Sequence, residues 1–353
     1  MRDKLQKFSI GCLLDMNFGP LYQPAPSRDF VKCASDQLVN EGVLAEQAGF
    51  EGVFVPESHM RTETIFSDPL PMLAALAGRT ERVRLGTYCL IPAYGWNPMH
   101  LAEATALIDH LSNGRLTLAL ALGLVPESFR MFGVDPKNKV ALFKESVAII
   151  KKAWTSHERF DFSGQHFQLE NVWLTPKPLQ QDPHPTIWSG GLSDKAIQRA
   201  GTFATGWCST PFPIRKDIWD RQVELFVTEA KAHGVENPKI ILMRDGFVAS
   251  NKAEAERICS ETFLPEWLYY FDAGVLSQQD PALTSRSDVS IENMRRHLVV
   301  GSPDDCIASL QQYRDLYHAD YVLIRFRSAY GPGADATRRC MELFGERVLP
   351  HFH

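Results

Sequence analysis

The chain lacks most of the short signatures from which an enzyme's chemistry is usually read. It contains no Cys-x-x-Cys, no His-Glu-x-x-His, no Gly-x-Ser-x-Gly and no Gly-Lys-Ser/Thr. These absences argue against a metal held at standard ligand spacing, a nucleophilic serine elbow and a nucleotide-triphosphate loop. Positive charge is not in excess either, with 37 Lys and Arg against 42 Asp and Glu, a formal net charge of −5. That balance leaves no electrostatic footprint for nucleic acid or an anionic membrane. Long apolar runs are missing as well. The first run, Phe8 to Leu14, is short and ends in Asp15, so neither a leader peptide nor a membrane span is expected. The seven cysteines are odd in number and scattered, which favours reduced thiols and a cytoplasmic protein.

What is present is a repeated alternation of apolar runs and amphipathic stretches. With 353 residues and 44% hydrophobic side chains the chain can bury a sizeable core. Its clearest segment runs from Asn97 to Asp135. Leu101, Ala104, Leu107, Ile108 and Leu111 recur at helical spacing, and Ser112-Asn113-Gly114 then supplies residues that tolerate a left-handed backbone. The following run, Arg115 to Leu122, is too short and too apolar for a surface helix and reads as a strand buried on both faces. Further strands are expected at Phe8 to Leu14, Gly52 to Val55, Val83 to Ile91, Pro185 to Trp188, Thr205 to Cys208, Ile240 to Ala249 and Tyr321 to Phe326. Helical periodicity lies between them, at Asp29 to Ala48 and Leu70 to Leu76 among others. Eight strands interleaved with helices predict an α/β (β/α)8 TIM barrel, with an open doubly wound sheet as the rival. The chain reads as one domain, 1–353, with insertions around 156–182 and 263–298 expected near the C-terminal face of the strands. The first of these has hairpin-like alternation at Arg159 to Val172.

In such a barrel the residues just after each strand form the active site. After the second strand stand Glu57, Ser58 and His59, of which His59 is suited to acid or base work near neutral pH or, more plainly, to capping a loop. After the third stand Thr87, Tyr88 and Cys89, where Tyr88 could equally fill the barrel and Cys89 pack as a small hydrophobe. Ser189-Gly190-Gly191 leaves backbone amides unobstructed, and Ser193-Asp194 opens a helix through Lys195, Ile197 and Ala200, an arrangement that binds phosphate. Asp109 and Arg115 flank the helix stop and read as a cap or a buried ion pair. Trp188 and Trp207 are either cleft walls or core. Trp267, Tyr269, Tyr270 and Phe271 either line an apolar pocket or anchor the second insertion.

The stretch Pro98 to Arg115, followed by Glu127-Ser-Phe-Arg-Met-Phe-Gly133-Val-Asp135, resembles the bacterial luciferase-like flavin-dependent monooxygenases. Pro176-Lys-Pro178, Pro185-Thr-Ile-Trp-Ser-Gly-Gly191, Ala200 to Trp207, Val300-Gly-Ser-Pro-Asp-Asp305 and Leu343 to Pro350 extend the resemblance in order along almost the whole chain. The resemblance implies a monooxygenase that takes reduced FMN from a separate flavin reductase and uses O2 to oxygenate a small lipophilic substrate. It implies that His59 is catalytic, and that Glu57, Ser58, Thr87, Tyr88, Cys89, Leu124, Lys139, Ser189, Gly190 and Gly191 hold the cofactor. Tyr88 and Cys89 would support the flavin ring, often through an unusual backbone geometry, and Gly190 and Gly191 the phosphate. The chain departs from the pattern at Ser58, where luciferase catalytic subunits carry histidine, and at Leu122, where an arginine is common and Lys139 is the nearest substitute. Asp194, where relatives can present a hydroxyl, would repel the phosphate. The alternatives are a deazaflavin-dependent oxidoreductase that transfers hydride and a non-catalytic flavin-binding partner subunit. A homodimer is also implied.

Overall fold

The computed structural model describes residues 8–19, 26–60 and 65–352.

Eight parallel strands form the scaffold: β1 (Ser9–Leu13), β2 (Gly52–Val55), β3 (Arg84–Thr87), β4 (Leu116–Leu120), β5 (Thr186–Gly190), β6 (Gly206–Cys208), β7 (Lys239–Val248) and β8 (Tyr321–Arg325). Each pairs with its sequence neighbours, and β8 returns to β1 with Ser9 opposite Tyr321. The pairing of Gly206 with Lys239 joins β6 to β7, so no edge remains and the open-sheet rival is excluded. The eight runs expected from the sequence all become strands. The third is shorter than its apolar run: the ladder stops at Thr87, the Tyr88–Cys89 peptide is cis, and Leu90 meets Leu120 only as an isolated bridge.

Local chemistry explains the helix boundaries. The helix Pro98–Leu111 starts with proline in its first turn while the Asn97 side chain accepts from the amides of Met99 and His100. It ends at Asn113 and Gly114, both with positive φ, which turn the chain into β4. Asp109 and Arg115 do not pair with each other. Asp109 accepts from the backbone and side-chain amides of Gln180, while Arg115 donates to the carbonyls of Thr80, Val83 and Ser112. Both are scaffold, fixing the turn by hydrogen bonds to main chain rather than by a mutual ion pair.

Alternation along the strands divides the core into two layers. Leu13, Phe54, Tyr88, Ala119, Trp188, Cys208, Ile241, Met243, Tyr321 and Leu323 fill the barrel, with Phe54 stacked on Trp188 at 5.2 Å. Glycine is required where these rings press on neighbouring strands: a Cβ at Gly11 or at Gly52 would lie 2.6 Å from the Tyr321 hydroxyl. The opposite faces pack against the surrounding helices. Trp207 belongs there, not to a cleft wall, and sends its Nε1–H to the Gly191 carbonyl at 2.9 Å.

The two insertions lie on different faces of the barrel, and only the second lies where expected. The antiparallel hairpin of Phe160–Ser163 and Gln168–Val172 joins the end of helix Lys139–Thr155 to the start of β5, which puts it on the face opposite the strands' C-terminal ends. Glu145 of that helix accepts from the amides of Gln165, His166 and Phe167 and holds the hairpin in place. The second insertion follows β7 and does belong to the mouth. It contains the helices Leu264–Asp272 and Val275–Gln279, then a short strand, Val299–Gly301, paired to the far end of β7.

Candidate active site

The C-terminal ends of β2 to β6 surround a cavity of about 840 Å³. Glu57, Ser58, His59, Tyr88, Cys89, Leu124, Lys139, Gly190 and Gly191 all line it. Thr87 and Ser189 do not. Strand alternation turns both side chains away from the barrel interior, and the Thr87 hydroxyl is occupied by the Ala119 carbonyl at 2.7 Å and the Ala119 amide at 2.9 Å.

One wall is a buried acid–imidazole pair. His59 Nε2 lies 2.8 Å from Glu57 Oε1, and the ring is wedged edge-on between Tyr94 and Phe132, with centroids at 5.7 and 4.9 Å. Glu57 also accepts from the Ile91 amide at 2.6 Å and the Trp96 indole at 3.0 Å, so its carboxylate is committed to the protein. A committed carboxylate requires a donor at Nε2, which leaves Nδ1 of His59 as the nitrogen able to accept or pass a proton. Nearby, burial raises the Asp68 carboxyl, opposed by an amide hydrogen bond from Leu70 and by His59.

The floor is Tyr88 and Cys89. The Tyr88 hydroxyl donates to the Ser209 carbonyl at 2.5 Å and burial drives its pKa well up, so it is a fixed, neutral ring. Cys208 also lines the cavity, and its thiol is raised by burial and by a hydrogen bond with Cys89.

The far wall is the Gly190-Gly191 turn. A Cβ on Gly190 would reach 3.1 Å from Cys89 Sγ, and one on Gly191 would come within 3.0 Å of the Ala196 carbonyl carbon. Bare backbone therefore faces the cavity where the helix Asp194–Gly201 begins, with the Ser193 side chain accepting from the Ala196 amide. Lys139 approaches from the other side, its Nζ 3.5 Å from the Gly123 carbonyl and 5.7 Å from the Phe129 ring centroid. Two polar residues that sequence reasoning missed complete this wall: Arg221 and Gln222, on the helix Lys216–Ala232 after β6. A signal existed, since the negative Asp194 beside a glycine pair called for a cation.

The aromatic cluster of the second insertion contributes nothing to this cavity. Trp267 is buried and donates to Asp245 at 2.8 Å, and Tyr270 packs on Phe212, so these residues anchor the insertion. Its cavity-lining residues are Gln278 and Gln279 instead.

The cavity thus lies at the C-terminal mouth of a closed parallel barrel, the face on which such barrels carry their active sites. The chain belongs to the luciferase-like monooxygenase family, whose model matches residues 16–319. It is similar to the oxygenase component of the flavin-dependent trigonelline monooxygenase of Acinetobacter baylyi, with 24% identity over 90% of this chain and 89% of that protein. It is also similar to the F420-dependent glucose-6-phosphate dehydrogenase of Nakamurella multipartita, at 27% identity over 93% of this chain and 97% of that protein. In fold it matches the crystal structure of the monooxygenase RslO1 from Streptomyces bottropensis, with a TM-score of 0.82, 23% identity and coverage of 98% and 100%. The chain is thus an enzyme of a family whose members divide between flavin and F420 chemistry, which argues against the non-catalytic partner-subunit alternative. No helix among the described residues is long and apolar enough to cross a membrane.

Proposed function

We propose that the chain is the oxygenating component of a flavin-dependent monooxygenase that uses reduced FMN and O2 on a small lipophilic substrate. The observation that carries this reading is the convergence of His59, Tyr88, Cys89, Gly190 and Gly191 on one cavity. The residues present fit FMN: Tyr88 and Cys89 offer a support, and Gly190 and Gly191 line the cavity with backbone alone at a turn packed too closely on Cys89 and Ala196 for a larger residue. A bound reduced flavin supplies the electrons that activate oxygen. The rest falls to the chain's own groups. Glu57 orients His59 through Nε2, and Nδ1 holds or delivers the proton that oxygen transfer requires. Ile91, Tyr94 and Leu122 give the cavity an apolar lining that limits water and favours an apolar substrate. A separate flavin reductase supplies the reduced cofactor, as the two-component name of the trigonelline relative suggests. The protein acts as a homodimer in the cytoplasm.

The second reading, hydride transfer with the deazaflavin F420, is favoured by the likeness to the glucose-6-phosphate dehydrogenase. Anaerobic titration with reduced FMN and, separately, with reduced deazaflavin distinguishes the two. Tight binding of reduced FMN followed by its reoxidation on mixing with air-saturated buffer supports the monooxygenase. Binding of the deazaflavin alone replaces it with hydride transfer.

A further inference from the structure

One charge pair in the cavity wall is not needed to hold the fold together. Arg221 Nη1 donates to Asp194 Oδ2, with side chains 57% and 46% exposed, and both residues line the cavity beside Gly190, Gly191 and Ser193. The two segments they join are already fastened. The buried Gln222 donates its Nε2–H to the Leu192 carbonyl at 3.1 Å, and Trp207, bonded to the Gly191 carbonyl, packs on Trp219 of the Arg221 helix at 5.2 Å. An exposed pair of this kind adds little to stability and is opened easily. The other cation on the wall, Lys139, is turned toward the Gly123 carbonyl and the Phe129 ring, in the quarter of the mouth after β4.

We infer that Arg221 is the side chain that recognises the phosphate-bearing tail of the cofactor, and that Asp194 is an internal competitor which the phosphate displaces. This rests on the reading of the cavity as a flavin or deazaflavin site. A guanidinium presents a planar fork of N–H donors that matches phosphate oxygens in pairs, a better match than a single carboxylate oxygen. Asp194 meanwhile sits in the first turn of its helix, where a carboxylate complements the positive end of the helix dipole and does not need Arg221 to be stable. Exchange of partners therefore leaves neither residue stranded. Asp194, which by its charge alone would repel the phosphate, becomes the group that keeps Arg221 in place until the cofactor arrives.

The test is anaerobic calorimetric titration of the full-length protein and its variants with reduced FMN and reduced riboflavin, which carry the same ring with and without phosphate. Arg221→Gln is expected to weaken FMN binding roughly ten- to a hundredfold, the loss of a charged hydrogen-bond partner, while leaving riboflavin unchanged. Arg221→Lys should recover part of that loss, and Asp194→Asn should tighten FMN severalfold without moving riboflavin. If the FMN-to-riboflavin ratio is the same in Arg221→Gln as in the wild type, or if Asp194→Asn weakens FMN as Arg221→Gln does, the inference is wrong. Should the wild type bind only a deazaflavin, the same ratio is taken between F420 and its core lacking the phosphodiester tail. A wild type that binds no member of either pair overturns the cofactor reading and this inference together, whereas tight binding with an unmoved ratio overturns the inference alone.

Discussion

The barrel mouth has two halves built on opposite principles. Over β2 to β6 it is open, lined by side chains with one bonding position committed and another spare, as in His59. Over β1, β7 and β8 it is plugged. There Arg325, buried at the end of β8, donates to Asp245 at 2.7 and 3.1 Å, to Asp15 at 2.8 Å and to Glu266 at 3.2 Å, and the helix Leu264–Asp272 covers the cluster with Trp267 bonded to Asp245. Arg327 continues the plug, reaching Glu41 at 3.1 Å and the Asn17 carbonyl at 2.8 Å. Burial works against the Arg325 charge, yet Asp245, Glu266 and Asp15 outweigh it and hold the guanidinium firmly protonated. The same scaffold thus spends its buried charge on rigidity in one half and keeps polar groups available for chemistry in the other.

Breaking the plug should have the largest effect. Arg325→Met leaves Asp15, Asp245 and Glu266 in a buried site without their cation, and should lower unfolding stability by about 3–5 kcal/mol in a denaturant titration. The open half should respond in activity instead. His59→Gln is expected to reduce substrate oxygenation by roughly a hundred- to ten-thousandfold, as for loss of a general acid or base, with a melting temperature close to that of the wild type. If His59→Gln melted as early as Arg325→Met, the contrast between the halves would be lost. Gly190→Ala should keep the fold but push a methyl toward Cys89 and into the cradle, weakening reduced FMN about tenfold, or about 1.4 kcal/mol, by calorimetry.

The smallest effect concerns protons within the plug. Burial, reinforced by Asp15 and Asp245 and opposed by Arg325, raises the Glu266 carboxyl. The folded chain consequently holds this proton more tightly than the unfolded chain does. Its contribution to stability is complete below the ordinary carboxyl pKa and is lost as pH rises through the raised folded value. Glu266→Gln should remove that fall, so the variant's unfolding stability should decline less than the wild type's over the same rise in pH; equal slopes would place the proton elsewhere.

The open half was far more legible in the sequence than the plug. Strand runs such as Leu116–Leu120 and stops such as Asn113-Gly114 are local patterns, and the rule that barrel chemistry follows each strand then selected His59, Tyr88 and Gly190. The plug depends on partners that share no local pattern: Arg325 and Asp15 are 310 positions apart, and nothing in either neighbourhood announces the other. The aromatic residues at 267–271 looked equally like pocket and anchor because burial alone does not say which cavity a ring faces. Arg221 was missed for a related reason. It lies on a helix flank that reads as solvated, and only the folding of β5 beside β6 brings it to Asp194.

Closure of the strand ring by its final member also governs how this chain can be made. A growing polypeptide that has not yet emitted Tyr321–Arg325 exposes the pairing edge of β1 and carries Asp15 without its guanidinium. Glu41 waits in the same way for Arg327. Until that strand has been made, the strand that opens the barrel is left with an unsatisfied, aggregation-prone edge.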